Sequence, residues 1–147
     1  MSKTGIDVLL VDDNPNDAKL AVLWLRASPL VKSVQVVADG EQALKYLRGR
    51  DPFADAPRPQ LVVLDLNLPR MSGFEVLAEM KSDPELAGIP AIVLSASGFA
   101  EDERRARDLQ ASLYLQKPSD GDGFTAMVSA VEAFWRTHSQ RARHADD

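Results

Sequence analysis

Cysteine is absent from this 147-residue chain, which excludes disulfide bonds and thiolate metal sites. Only two histidines occur, His138 and His144 near the C-terminal end, so a histidine-rich metal site is excluded as well. Any chemistry of this chain must therefore use carboxylates, hydroxyls and lysines.

Long apolar runs and an excess of positive charge are also missing. No run approaches the roughly 20 apolar residues of a membrane-spanning helix, and the N-terminal residues lead into a strand-like run rather than a signal peptide. The 17 Lys and Arg against 22 Asp and Glu give a net charge of −5, which argues against a basic nucleic-acid-binding module. We expect one domain in the cytoplasm that binds neither a membrane nor nucleic acid.

Five short apolar runs alternate with five segments of helical periodicity. The runs are typical of strands and cover residues 8–11, 34–37, 61–64, 91–94 and 113–115. The helical segments cover residues 16–27, 41–47, 73–80, 101–109 and 125–135. This alternation predicts an α/β fold with an open parallel sheet and helices on both faces.

Local sequence signals refine this architecture. Runs one, three and four are apolar at every position, which predicts central strands covered on both faces. Asn14-Pro15 and Ser72 are typical of helix starts, and Asp83-Pro84 of a helix end. Residues 48–60 contain three prolines and are predicted to form a surface loop, whereas residues 138–147 lack apolar periodicity and are predicted to be a mobile tail.

Polar side chains follow four of the five predicted strands, where ligands of open parallel sheets bind. They are Asp12 and Asp13, then Asp65 and Asn67, then Ser95 and Ser97, and finally Lys117. Three carboxylates at one edge repel each other unless a cation joins them, and Mg²⁺ prefers oxygen ligands. With Mg²⁺ and the lysine their charges sum to zero, so the edge is predicted to be a magnesium site that can receive a phosphoryl group.

Ordinary structural roles are alternatives for several of these residues. Asp12 and Asp13 are compatible with acids favoured by a helix dipole, and Ser95 with a cap for the following turn. Trp24 is most simply a core residue, and the charged residues 101–108 a solvated helix face. We favour the site interpretation for the acids because they converge with the other positions.

The motifs VDD at 11–13, LVVLDLNLP at 61–69, VLSAS at 93–97 and QKP at 116–118 resemble those of response-regulator receiver domains. The intervals from Asp65 to Ser95 and to Lys117 agree with that family, and Tyr114 stands where the family has its aromatic switch residue. The resemblance covers residues 6–137 and implies a flavodoxin-like, five-stranded sheet of order 2-1-3-4-5. The stretch 65–90 is also similar to stand-alone receivers that partner bacterial and cyanobacterial phytochrome kinases.

The resemblance implies that Asp65 accepts a phosphoryl group from a phosphohistidine on a sensor histidine kinase or phosphotransfer protein. Asp13, the Asp65 carboxylate and the Asn67 backbone carbonyl would bind Mg²⁺ directly, and Asp12 would act largely through water. The chain would promote its own phosphorylation and dephosphorylation without being an enzyme that acts on a separate substrate.

In the same family pattern, Ser95 and Lys117 would donate hydrogen bonds to the phosphoryl group, and Tyr114 would turn inward. We expect residues 1–137 to form the receiver, with no output domain after it, and a homodimer through the fourth helix, fifth strand and fifth helix. The last helix supports this expectation with an apolar surface broader than one stripe, formed by Phe124, Met127, Val128, Val131, Phe134 and Trp135. The alternative is that all six pack into the monomer core.

Two rival functions are open to test. A haloacid-dehalogenase-type phosphatase uses the same residue types in the same order, but it needs an Asp two residues after the nucleophile, where Asn67 stands here. Its additional acidic pair also follows the lysine, whereas Asp12 and Asp13 come first. A receiver that only binds partners, without phosphate, is the second rival, and the intact set of site residues argues against it.

Overall fold

The computed structural model describes residues 5–96 and 100–146 and contains a parallel five-stranded sheet. The strands are β1 (Ile6–Val11), β2 (Val31–Val37), β3 (Leu61–Asp65), β4 (Ala91–Ser95) and β5 (Leu113–Gln116). The helices are α1 (Pro15–Arg26), α2 (Gly40–Leu47), α3 (Gly73–Ser82), α4 (Ala100–Asp108) and α5 (Gly121–Asp146). The sheet order β2-β1-β3-β4-β5 confirms the predicted flavodoxin-like topology.

The sheet separates two hydrophobic clusters, and this explains the fully apolar strands. Alternate side chains of β1, β3 and β4 enter a cluster with α2, α3 and Ala106 of α4 on one face, and a cluster with α1 and α5 on the other. All residues of β3 and β4 are buried, whereas the edge strands β2 and β5 are partly exposed. Central positions for β1, β3 and β4 are therefore confirmed.

The predicted helix boundaries around the sheet are largely confirmed. The Asn14 side chain accepts hydrogen bonds from the amides of Asn16 and Asp17, with Pro15 as the first helical residue. Ser72 caps α3 in the same way, and α3 ends at the predicted Asp83 cap. These caps satisfy amides that a helix start leaves unpaired.

Trp24 is not a core residue, contrary to the prediction. The residue is 37% exposed, because the buried stripe of α1 consists of Ala18, Ala21 and Leu25. Trp24 lies beside this stripe and stacks on Phe124 of α5, with ring centroids 6.1 Å apart. It therefore covers the seam between α1 and α5.

Helix α5 is longer than the sequence indicated. It begins at Gly121 and continues to Asp146, so it includes most of residues 138–147, which were predicted to be a mobile tail because they lack apolar periodicity. Residues 138–146 contain no Gly or Pro and include two Ala and two Arg, which are good helix formers. Extending an existing helix through them avoids the free-energy cost of nucleating a new one. Even so, none of the described helices is long and apolar enough to cross a bilayer.

The broad apolar surface of α5 is largely used within the monomer. Phe124, Met127 and Val131 are buried, and the remaining three of the six residues are partly buried against the same cluster. The breadth of the surface arises because α5 contacts both the sheet and α1. It is therefore not independent evidence for a dimer.

Candidate functional site

Three carboxylates meet at the carboxyl ends of the neighbouring strands β1 and β3. One oxygen atom each from Asp12, Asp13 and Asp65 lies within 4.8 Å of the other two. Asp12 and Asp65 are buried, whereas Asp13 is exposed. This donor set fits a hard divalent cation, which takes oxygen ligands and keeps several waters on its open side.

Backbone amides of the adjoining loops orient the two buried carboxylates. Asp12 Oδ1 accepts a hydrogen bond from the Asn14 amide at 2.9 Å, and Asp65 Oδ1 accepts one from the Asn67 amide at 2.9 Å. Each strand therefore ends in a tight turn closed by its own acid. The Asn67 residue itself is exposed, next to the carboxylate cluster.

Close approach of α3 to the Asp65 turn depends on a glycine. A Cβ atom on Gly73 would lie 2.6 Å from the Asp65 carbonyl oxygen and 2.7 Å from Leu66 Cα. The Gly73 amide also donates to the Leu66 carbonyl at 3.1 Å. A larger residue here would push the start of α3 away from the turn that holds Asp65.

Lys117 joins the acids from the end of β5. Its Nζ atom lies 2.7 Å from Asp65 Oδ2, 3.4 Å from Asp12 Oδ1 and 3.2 Å from Asp17 Oδ2. The Lys117 amide donates to the Ser95 carbonyl at 2.8 Å, which fixes the lysine backbone to the end of β4. One side chain thereby connects β1, β3 and α1.

Burial and charge shift the pKa values of two groups in this site. Burial raises the pKa of Asp12, and the charge of Asp65 adds to this effect, while the Asn14 amide and Lys117 oppose it. Burial alone would lower the pKa of Lys117, but the hydrogen bond and charge of Asp65, together with Asp12 and Asp17, raise it above its ordinary value. Lys117 is therefore a cation at neutral pH, held beside three acids.

The remaining predicted residues lie around this cluster. Ser95 is buried at the end of β4, one residue beyond Leu94, which is in register with Asp65. Tyr114 is half-buried on β5, packs against the α2–α3 side of the core and is in register with Val93. Ser97 lies outside the described residues.

Asp17 is a site residue that reasoning from the sequence missed. It stands in the first turn of α1 and is half-buried beside Lys117. The available signal was an acid in the first turn of a helix that begins two residues after Asp13, at the same sheet edge as the other acids. It was overlooked because an acid at this position is also an ordinary helix-start residue.

Comparisons with known proteins agree with this geometry. Residues 8–129 match the family model described as the response regulator receiver domain. The chain is 36% identical over 128 residues to the response regulator Rcp1 of Synechocystis, with 87% of each chain covered. It is 39% identical to the phosphorylated cyanobacterial phytochrome response regulator RcpA, whose crystal structure superposes with a TM-score of 0.83 over 92% of this chain and 96% of that one.

One similar structure bears on the metal. The crystal structure of the Mn²⁺-bound form of Rcp1 is 35% identical, with a TM-score of 0.80, and covers 88% of this chain and 94% of that one. Together with the cluster of Asp12, Asp13 and Asp65, this supports divalent cation binding at the acidic edge.

Proposed function

This chain belongs to the response regulator receiver domain family, and from that premise we propose that Asp65 accepts a phosphoryl group from a phosphohistidine. The donor would be a sensor histidine kinase or a phosphotransfer protein. The observation that carries the proposal is the Lys117 ammonium 2.7 Å from a buried Asp65 carboxylate, beside two further acids. A buried acid paired with a cation in an open cation site can act as a nucleophile toward an anionic group.

In the proposed reaction, an Asp65 oxygen attacks phosphorus, and the bond between phosphorus and the donor imidazole breaks. Mg²⁺, held by Asp13, Asp65 and the Asn67 carbonyl with Asp12 acting through water, would neutralise charge on the transferring group. Lys117 gives a hydrogen bond to Asp65 before transfer and would give it to a phosphoryl oxygen afterwards. Positioning and electrostatic stabilisation are sufficient for this chemistry.

The proposed switch uses Ser95 and Tyr114. Only the phosphorylated protein offers the Ser95 hydroxyl a phosphoryl oxygen, so phosphorylation favours the conformation in which Ser95 lies close to Asp65. Tyr114 would turn inward at the same time, and residues 97–99 of the loop after β4, which the switch would include, lie outside the described residues. We propose that signalling then proceeds through contact with a partner protein, and that the chain promotes its own phosphorylation and dephosphorylation.

The phosphoacceptor assignment is tested by labelling the full chain with a small phosphodonor and Mg²⁺. Intact-mass spectrometry should show addition of one phosphoryl group, labile to alkali, to the wild type and to the matched control Asp55→Asn, an exposed loop acid. The Asp65→Asn variant should remain unlabelled. Stoichiometric labelling of Asp65→Asn would refute the assignment of Asp65 as the acceptor. Absent labelling of the wild type would refute the phosphoacceptor role and favour a phosphate-independent binding module.

For partners, we propose a sensor histidine kinase, with a phytochrome as the candidate suggested by Rcp1 and RcpA. We further propose a homodimer through α4, β5 and α5, because this face contains Tyr114 and a two-fold arrangement would couple both copies. Sedimentation at micromolar concentration, with and without beryllofluoride as a phosphate mimic, tests this. A monomer in both states would contradict the dimer.

A further inference from the structure

Lys117 has three carboxylate partners in the described part of the chain, and they differ in kind. Asp12 and Asp65 belong to the cluster that fits a metal ion, whereas Asp17 does not. The ammonium donates hydrogen bonds to Asp65 and Asp12 and forms an ion pair with Asp17, whose Oδ2 atom lies 3.2 Å from Nζ. Asp17 is therefore the partner of Lys117 that would neither bind the metal ion nor carry the phosphoryl group.

The fold brings Asp17 and Lys117 together from distant parts of the sequence. Asp17 is held in place because its amide donates to the Asn14 cap at 3.1 Å, while Lys117 follows β5 one hundred residues later. Packing of α1 against α5, which includes the Trp24–Phe124 stack, brings these elements together. The Asp17 side chain is 40% exposed and that of Lys117 is 16% exposed, so the pair lies at the rim of the site.

The interactions of Lys117 with its acids would change when a metal ion and a phosphoryl group are bound. A metal ion would share the charges of Asp12 and Asp65, and phosphorylation would turn the Asp65 carboxylate into an acyl phosphate, a mixed anhydride in which the carboxylate charge is lost. Both changes weaken the two bonds that hold Lys117 in the unphosphorylated protein. The attraction to Asp17 persists because its oxygens belong to neither the metal cluster nor the proposed acceptor.

We propose that Asp17 is a positioning residue, which anchors the Lys117 ammonium beside Asp65 while the metal ion and the phosphoryl group occupy the other acids. This inference rests on the proposed function of Asp65. Asp17 does not contact the phosphoryl group in this proposal, because Asp17 acts through Lys117.

The test is a double-mutant cycle on the rate of labelling by a small phosphodonor at saturating Mg²⁺. Asp17→Asn should slow labelling about fivefold in the wild-type background, the effect of losing an ion pair of about 1 kcal/mol. In the Lys117→Gln background, the same substitution should change the residual rate by less than about twofold. Asp17→Glu keeps the charge and should recover most of the wild-type rate.

Glu75→Gln is the matched control. Glu75 is exposed and lies three residues after the Ser72 cap of α3, just as Asp17 lies three residues after the Asn14 cap of α1. The control substitution therefore removes a negative charge from the same position of another helix. It should leave the labelling rate unchanged.

Three outcomes would overturn the inference: an equal effect of Asp17→Asn in both lysine backgrounds, an equal effect of Glu75→Gln, or faster labelling of Asp17→Asn. Labelling that survives Asp65→Asn, or absent labelling of the wild type, would instead remove the proposed function and this inference with it. Thermal melts of each variant show whether any rate change reflects loss of fold.

Discussion

Removing the charge of Lys117 should destabilise the metal-free protein substantially. The substitution Lys117→Met keeps most of the aliphatic volume but leaves the buried acids Asp12 and Asp65 without their cation. Removal of one partner from a buried ion pair typically costs about 3–5 kcal/mol. Asp13 is exposed and the Asp17 side chain is 40% exposed, so solvent screens the charges on one side of this site. We therefore expect the free energy of unfolding to fall by about 2–3 kcal/mol in EDTA at pH 7.

The assay is thermal unfolding followed by circular dichroism, with EDTA or with excess Mg²⁺. For a chain of 147 residues, 1 kcal/mol corresponds to about 3 °C in Tm, so the metal-free variant should melt about 6–9 °C below the wild type. Mg²⁺ should reduce this difference by half or more, because the divalent cation replaces the lost charge. Lys19→Met, which alters an exposed lysine of α1, is the matched control and should change Tm by no more than about 2 °C.

The pH dependence follows from the direction of the pKa shifts. Burial lowers the pKa of Lys117 but its acids raise it more, so its stabilising effect is complete below its ordinary value of 10.5 and is lost progressively as the pH rises from there through the folded-state pKa. The pKa of Asp12 is raised by burial, so its charge destabilises the fold at neutral pH, and protonation relieves this as the pH falls toward 3.8. The difference in Tm between wild type and Lys117→Met should therefore become smaller as the pH falls. A Tm difference that is equal with and without Mg²⁺, or that becomes larger in acid, would refute the electrostatic explanation.

Two further predictions concern the acidic edge. Asp13→Ala should nearly abolish Mg²⁺ binding measured by calorimetry while raising the metal-free Tm, since it deletes a ligand and relieves repulsion; unchanged Mg²⁺ affinity would contradict this. Gly73→Ala should lower Tm by about 3–9 °C and slow labelling of Asp65, because its Cβ would clash with the Asp65 carbonyl, whereas Gly88→Ala meets no atom within 4 Å and should be neutral. Equal Tm values for the two alanine variants would show that the turn tolerates displacement.

The sequence by itself determined the fold class, the strand order through family resemblance, and the sheet edge where the acids lie. These features are local or periodic: apolar runs mark β1, β3 and β4, caps such as Asn14 and Ser72 mark helix starts, and an acid directly after a parallel strand must lie at its carboxyl end. Local sequence was therefore sufficient to place Asp12, Asp13 and Asp65 together. Their role as metal ligands and phosphoacceptor stays a prediction.

Tertiary structure alone decided how the helices meet, because contact between distant segments leaves no periodic signal in either one. It moved Trp24 out of the core to cover the seam with α5, and it packed the apolar surface of α5 into the monomer. It also paired Lys117 with Asp17, which lies one hundred residues earlier in the chain. An acid in the first turn of a helix has the same local sequence whether it faces water or a lysine, so only the packing of α1 against α5 could distinguish the two.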